Sequence, residues 1–302
     1  MRFIFFGSSE FAKIILNKLL DFGMKPVLVI TAPSPTPVYN LAKQNNIPML
    51  TPEKLEDEGF LSSFKDYNPD LVILTAYGKI VPSKLLLIPK KGVLNLHPSL
   101  LPKWRGATPI QSTILASDKG TGVSLFLMDE QIDHGPIIQN VKYKIENPSI
   151  TYPELMQELA ILGANLIIKT VPQWLKGKIK PMPQNHSLAS YCHKILPKDE
   201  KINWEKPAIE IDKKVRALNP NPGVFTVANN IIIKIVKGYS MDDPSLYADK
   251  SVGSVFQFQN KLAVKCGKGI YVIEELRPAG KKTMGSGSFL RGNKWILEIK
   301  LL

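Results

Sequence analysis

The sequence predicts two domains: a doubly wound α/β domain over residues 1–180, then, after a linker at 181–207, a small β-barrel over 208–302. Three observations carry this. The first half alternates short apolar runs with amphipathic segments, the pattern of a parallel sheet covered by helices. A stretch rich in Pro and Lys, with Pro181, Pro183 and Pro197, then breaks all periodicity. The last third holds β-branched runs punctuated at even spacing by Gly and Asn, which suits a barrel of short strands. A chain of 302 residues is long enough to bury a core in each domain.

The elements follow in order. Met1–Phe6 reads as a buried strand, and Ser9–Phe22 as a helix, with Phe11, Ile14, Ile15, Leu19 and Phe22 at helical spacing and Gly23 as the stop. Val27–Thr31, Leu71–Tyr77 and Val93–His97 are further strands, the last introduced by the turn Pro89-Lys90-Lys91-Gly92. Helices are expected at Val38–Asn45, Lys54–Phe64 and Thr108–Ser117. Two strands, Gly122–Met128 and Pro136–Ile145, flank a turn at Ile132-Asp133-His134-Gly135, and a long helix from Tyr152 to Leu175 closes the domain. Beyond the linker come a short helix, Ala208–Leu218, and five strands: Val224–Val227, Ile231–Val236, Val252–Phe258, Lys261–Val264 and Ile270–Glu274.

The formal charge is +13, and residues from Lys206 onward hold 16 Lys and Arg against 8 Asp and Glu, so the final third is the concentrated basic part. Such a surface attracts polyanions, although a Lys-rich composition also serves solubility alone. No apolar run approaches the ~18 residues of a membrane helix, and the start Phe3-Ile4-Phe5-Phe6 stops at Gly7-Ser8-Ser9-Glu10 as a strand does, not a signal peptide. Cys192 and Cys266 form no CxxC pair and have no metal-like spacing to the histidines. A cytoplasmic monomer with no metal is the expectation. Ser8-Ser9 lacks the GxGxxG pattern, so nothing supports a nicotinamide cofactor.

Ligands of open parallel α/β sheets bind beyond the carboxyl ends of the strands. The Val93 strand ends in Asn95-Leu96-His97, whose two polar side chains stand two apart and so share one face. A proline-bounded loop follows, Pro98 to Gly106, whose rigid backbone can hold a flat ligand against Leu100 and Leu101 while Lys103 and Arg105 face an acidic partner. Asp133 lies in the turn between the two following strands. Amide, imidazole and carboxylate together suit acyl transfer between nitrogens. Asn95 donates to a developing oxyanion, His97 shares that task and protonates the leaving nitrogen, and Asp133 takes the proton of the attacking amine. The same residues also suit a structural reading, in which Asn95 and His97 satisfy a strand end and Asp133 caps a turn.

The segment Asn95-Leu96-His97-Pro98-Ser99-Leu100-Leu101-Pro102 resembles the core motif of the folate-dependent formyltransferases, and Asp133-His134-Gly135-Pro136-Ile137-Ile138, with Asp133 38 residues after Asn95, is similar to that family's second motif. The resemblance implies a Rossmann-like first domain, 10-formyltetrahydrofolate as formyl donor, and Asn95, His97 and Asp133 as the catalytic trio. It implies further that Ser99, Leu100, Leu101 and Pro102 contact the folate. Ala76-Tyr77-Gly78-Lys79-Ile80-Val81 resembles the loop that holds the pterin, which makes Tyr77, Gly78, Ile80 and Val81 cofactor-binding candidates.

The family has branches with different acceptors. Lys103–Gln111, Thr121-Gly122-Val123 and above all Arg277–Met284 in a basic carboxyl-terminal domain are similar to the branch that acts on initiator methionyl-tRNA, where the barrel would be of the oligonucleotide-binding type. Arg105, Lys281 and Lys282 then become tRNA-contact candidates, and Phe11 lines the methionine pocket or is an ordinary core aromatic. The chain departs from that branch at one point: where its members carry a long basic loop after the second strand, Val29–Ser34 runs almost directly into Pro35–Asn40. An amino sugar or other small amine is therefore the alternative acceptor, and a noncatalytic RNA-binding protein is a third reading. Trp104 can stack on a base or the folate or simply pack, His134 has no assigned role, and His186 and His193 are expected to be solvated in the linker.

Overall fold

A computed structural model describes residues 1–33 and 35–301. The chain divides into two compact units, one of Met1–Ile110, Lys119–Glu146 and Glu154–His193, the other of Gln111–Asp118, Asn147–Pro153 and the residues from Lys194 onward. The segment 181–207 is thus shared between the units, parting after His193.

The first unit is built on β1 (Phe3–Phe6), β2 (Leu28–Ile30), β3 (Met49–Leu50), β4 (Leu71–Leu74), β5 (Val93–His97), β6 (Arg105–Gly106), β7 (Gly120–Leu127), β8 (Ile137–Lys144) and β9 (Tyr191–Cys192). Seven of these form one sheet in the order β3-β2-β1-β4-β5-β7-β8. Pairing is parallel from β3 to β5 and antiparallel through β7 and β8, while β6 and β9 make a separate parallel pair. Helices α1 (Glu10–Asp21), α2 (Pro37–Gln44), α3 (Glu58–Asp66), α4 (Ser83–Leu86) and α6 (Tyr152–Leu175) accompany them, whereas most of α5 (Pro109–Leu115) belongs to the second unit.

Strand periodicity sorts the side chains. Ile4, Phe6, Val72, Leu74 and Val93 point to the face where Phe60, Leu61 and Phe64 of α3 and Leu85 of α4 complete one apolar cluster. On β5 the opposite face carries Leu96, which α6 approaches so closely at Gly163 that a Cβ there would overlap the leucine. Asn95 and His97 consequently share the face of Val93 at the carboxyl end of the strand.

Several elements differ from expectation. α3 starts at Glu58, not Lys54, because Asp57 caps it by accepting from the Phe60 N–H at 2.8 Å. β4 stops at Leu74 because Ala76 turns the chain with φ +44°. The two-residue β3 is too short for any periodic signal. Thr36 accepts from the Tyr39 N–H and starts α2 directly; Ser34, within the connection that lacks the long basic loop, lies outside the described residues.

The second unit contains α7 (Pro197–Glu200), α8 (Ala208–Leu218), β10 (Val224–Ala228), β11 (Ile231–Met241), β12 (Val255–Phe258), β13 (Lys261–Lys265), β14 (Ile270–Pro278), β15 (Met284–Gly285) and α9 (Ser286–Gly292). The strands form an antiparallel sheet in the order β10-β11-β14-β13-β12, with β15 beside β14. β11 and β14 outrun the apolar segments that announce them, since their pairing continues through an irregularity at Lys237–Gly238. Trp204 is fully enclosed and donates to the Thr226 hydroxyl at 3.0 Å. Among the described residues no helix is long and apolar enough to cross a membrane.

Candidate active site

The carboxyl end of β5 brings three functional groups together. Asn95 Nδ2 lies 3.4 Å from Asp133 Oδ1, and His97 Nδ1 lies 3.6 Å from Asp133 Oδ2. All three side chains are largely buried. His97 Nε2 is 2.8 Å from the carbonyl oxygen of Trp104. That oxygen can only accept, so Nε2 carries a hydrogen and Nδ1 is the atom presented to the carboxylate.

Asp133 is fixed from several sides. Its backbone has φ +49°, a left-handed conformation that Asp tolerates better than most residues. Its Oδ2 accepts from the Gly106 N–H at 2.8 Å. Gly106 itself has φ +113°, and a Cβ there would overlap the Cys192 carbonyl oxygen, so this close approach requires glycine. Gly135 likewise lets the turn pass against the Leu127 carbonyl.

The loop between β5 and α5 is held by its own polar groups. Ser99 is buried and spends its hydroxyl on the Lys103 carbonyl at 2.6 Å, while Ser124 donates to the Ser99 carbonyl at 2.7 Å and accepts from the Leu101 N–H at 3.0 Å. A strap formed by residues 182–193 runs alongside. Ser190 accepts from the Arg105 and Trp104 N–H groups, at its carbonyl and hydroxyl respectively, and the Cys192 carbonyl accepts from the Ala107 N–H. At the head of the strap, Gln184 accepts from the Arg105 guanidinium and donates to the carbonyls of Asp133 and Gly135. An amide donor, an imidazole and a carboxylate thus converge at one strand end, the imidazole and the carboxylate each held by a backbone group and the amide by the carboxylate.

Residues 1–171 match the family model described as formyl transferase, and residues 194–294 match the model of the formyl transferase C-terminal domain. The chain belongs to the formyl transferase family. A methionyl-tRNA formyltransferase of Rickettsia bellii is 35% identical over 304 aligned residues, covering 97% of both chains. Among solved structures, HypX from Aquifex aeolicus, determined with tetrahydrofolic acid, superposes with a TM-score of 0.68 at 15% identity over 96% of this chain, which spans 47% of the HypX chain. An N-formyltransferase from Helicobacter canadensis, in complex with folinic acid and dTDP-3-aminofucose, gives 0.66 at 21% identity over 90% of this chain and 98% of its own. These two likenesses show the fold. The formyltransferase resemblance read from Asn95–Pro102 is borne out.

The remaining candidates differ in their surroundings and exposure. Ala76 and Gly78, with φ +44° and +84°, turn the loop after β4, and Gly78 faces open space. Ile80 is 82% exposed there, whereas Val81 is buried and Tyr77 packs edge-on against Phe6. The Tyr77 hydroxyl has no partner among the described residues, and burial pushes its pKa up to about 12. Leu101 packs with Phe126 and Ile137, while Leu100 and Pro102 are half-buried. Phe11 is buried in the first turn of α1. Lys281 and Lys282 are exposed beyond β14, at the turn made by Gly280. Arg105, expected to face an acidic partner, is only 2% exposed, because Gln184 and His186 draw its guanidinium inward.

Sequence reasoning missed the strap altogether. Gln184, Ser190 and Ser124 carry no local signal, since their side-chain partners lie 23 to 86 residues away. His186 is exposed, as expected, but not merely solvated: its ring stacks on His134 with centroids 4.0 Å apart, and its Nδ1 accepts from Arg105 at 2.8 Å. Lost hydration, and then the positive charges of His134 and Arg105, hold the His186 pKa below its ordinary value. His134 in turn bonds Asp129 at 2.6 Å. Among the described residues, no group of three or more His, Cys, Asp or Glu is placed to hold a metal ion.

Proposed function

We propose that this chain transfers the formyl group of 10-formyltetrahydrofolate to the α-amino group of methionine carried on initiator methionyl-tRNA. The observation that carries the reading is the full-length similarity to a methionyl-tRNA formyltransferase, together with the Asn95–His97–Asp133 cluster. A tRNA acceptor places the reaction in the cytoplasm. The folate supplies the formyl carbon as a substrate. The loop at Tyr77, Gly78, Ile80 and Val81 suits a flat heterocycle, since Gly78 leaves its backbone open, and Leu100, Leu101 and Pro102 with Ser99 would line the adjoining surface.

The α-amine needs no activated Ser or Cys, being a nucleophile already. As it attacks, negative charge builds on the formyl oxygen, and the Asn95 amide is the donor placed to stabilise it. One such donor is worth about 3–4 kcal/mol in the transition state. Protonated His97, with its second hydrogen on Nδ1, shares this task and gives that proton to the departing nitrogen, while Asp133 accepts the proton of the attacking amine directly or through water. Lys281 and Lys282 on the basic unit serve the phosphate backbone of the tRNA, and Phe11 lines the methionine side chain.

Asp133→Asn keeps the side-chain shape and one of the two acceptor oxygens, which can still take the Gly106 N–H, but removes the base. Single-turnover formylation should fall by orders of magnitude, while folate binding, followed by fluorescence quenching, should stay within about threefold. A fully active variant overturns the reading. The Pro35–Asn40 connection, without a long basic loop, favours a second reading, transfer to an amino sugar.

A further inference from the structure

Gln184 bonds both the Asp133 turn and Arg105, the residue before the Gly106 N–H that holds the Asp133 side chain. It is 5% exposed, and its amide is fully used. Oε1 accepts from Arg105 Nε at 3.2 Å and Nη2 at 2.6 Å. Nε2 donates to the Asp133 carbonyl at 2.9 Å and to the Gly135 carbonyl at 2.7 Å. Two donors and two accepted bonds exhaust what a primary amide usually offers.

The two sides of this bridge converge on one carboxylate. On one side the Asp133 main chain is fixed in its left-handed turn, with Gly135 so close to the Leu127 carbonyl that a Cβ would not fit. On the other, Arg105 immediately precedes Gly106, whose N–H holds Asp133 Oδ2. We infer that Gln184 is a positioning residue for formyl transfer: it locks the Asp133 turn and the Arg105-Gly106 donor into one rigid unit, so that the carboxylate stays aimed at the acceptor amine. The inference rests on the proposed role of Asp133. It also gives a task to the buried Arg105, whose guanidinium serves this clamp instead of the surface.

A catalytic group misplaced by about 1 Å can lose on the order of a hundredfold in rate without losing substrate affinity. Gln184→Leu should therefore lower kcat by roughly 30- to 100-fold and leave the KM for folate and for methionyl-tRNA within about threefold. A residue acting through Asp133 has nothing left to position once the carboxylate is gone, so effects must be non-additive. The experiment is a double-mutant cycle in single-turnover formylation, with Gln184→Leu and Asp133→Asn alone and together, each variant first checked for cooperative melting. Gln184→Glu, which keeps the acceptor for Arg105 and removes the donor to the two carbonyls, is read in place of Gln184→Leu if that variant does not fold.

The expected result is a large loss from Gln184→Leu in the wild-type background and no more than about a threefold further loss beside Asp133→Asn. A folded Gln184 variant with wild-type kcat overturns the inference, as does an equal proportional loss in both backgrounds. An active Asp133→Asn enzyme instead removes the catalytic reading on which the inference stands.

Discussion

Replacing Gly106 by Ala strikes the site through its backbone. The residue has φ +113°, beyond the left-handed region open to L-residues, and that conformation alone carries a strain of about 1–3 kcal/mol. The new methyl group would also overlap the Cys192 carbonyl, a backbone atom that cannot swing aside. The β6–β9 pair must part, giving up the Ala107 N–H bond to Cys192 and the Arg105 N–H bond to Ser190. At about 0.5–1.5 kcal/mol each, these raise the total to roughly 2–6 kcal/mol. For a chain of this size that is a fall of roughly 5–15 °C in Tm. Because the Gly106 N–H moves with the strand, Asp133 loses its closest donor, and kcat should fall about a hundredfold at temperatures where the variant remains folded. Gly23→Ala is the control: its φ is +79° with nothing within 4 Å of the added Cβ, so only the strain, about 1–2 kcal/mol, is expected. Calorimetry and steady-state formylation read both effects. If Gly106→Ala melts with Gly23→Ala and turns over at the wild-type rate, the geometric reasoning fails.

Ser124→Ala leaves the Ser99 carbonyl and the Leu101 N–H buried without their partner, so denaturant titration should show a loss of about 2–4 kcal/mol. His186, held below the ordinary imidazole value by lost hydration and by the charges of His134 and Arg105, should titrate below 6.5 in an NMR series. Its neutral form is the one the fold prefers, so the associated stability is fully present above pH 6.5 and disappears as the pH falls through the folded value. His186→Phe should flatten that window, and a titration at or above 6.5 contradicts the stacked, Arg105-bonded geometry. Lys281→Ala with Lys282→Ala should raise the KM for tRNA more than it changes kcat, and should reduce the salt slope of binding by about one for each phosphate no longer neutralised. An unchanged salt slope removes both lysines from the interface.

What could be read from the sequence was what local periodicity encodes. β5 and α6 fall where expected because alternation and helical spacing are uninterrupted there, and the i, i+2 spacing of Asn95 and His97 already placed both on one face. The proximity of Asp133 depends on β7 pairing with β5, since Asp133 lies in the turn that follows β7. The strap was opaque for the opposite reason. Pro181, Pro183 and the polar residues after them have no period, and their order comes from bonds to a loop about eighty residues earlier, such as Gln184 to Arg105. The same long-range bonds explain why Arg105 is buried where its charge suggested exposure. α9 lay hidden in Gly285-Ser286-Gly287-Ser288, a composition that reads as a loop until Phe289 and Leu290 find the core.

Everything proposed for this chain turns on its acceptor, and one assay reaches it: purified protein with 10-formyltetrahydrofolate and initiator methionyl-tRNA, with formyl-methionine measured after release from the tRNA. Free methionine and a nucleotide-linked amino sugar serve as competing acceptors. The expected result is formyl-methionine on the tRNA, no product on the other two, and loss of the signal in Asp133→Asn. Formylation of the amino sugar with none on the tRNA contradicts the assignment, and would trace the change of acceptor to the short connection between Val29 and Asn40.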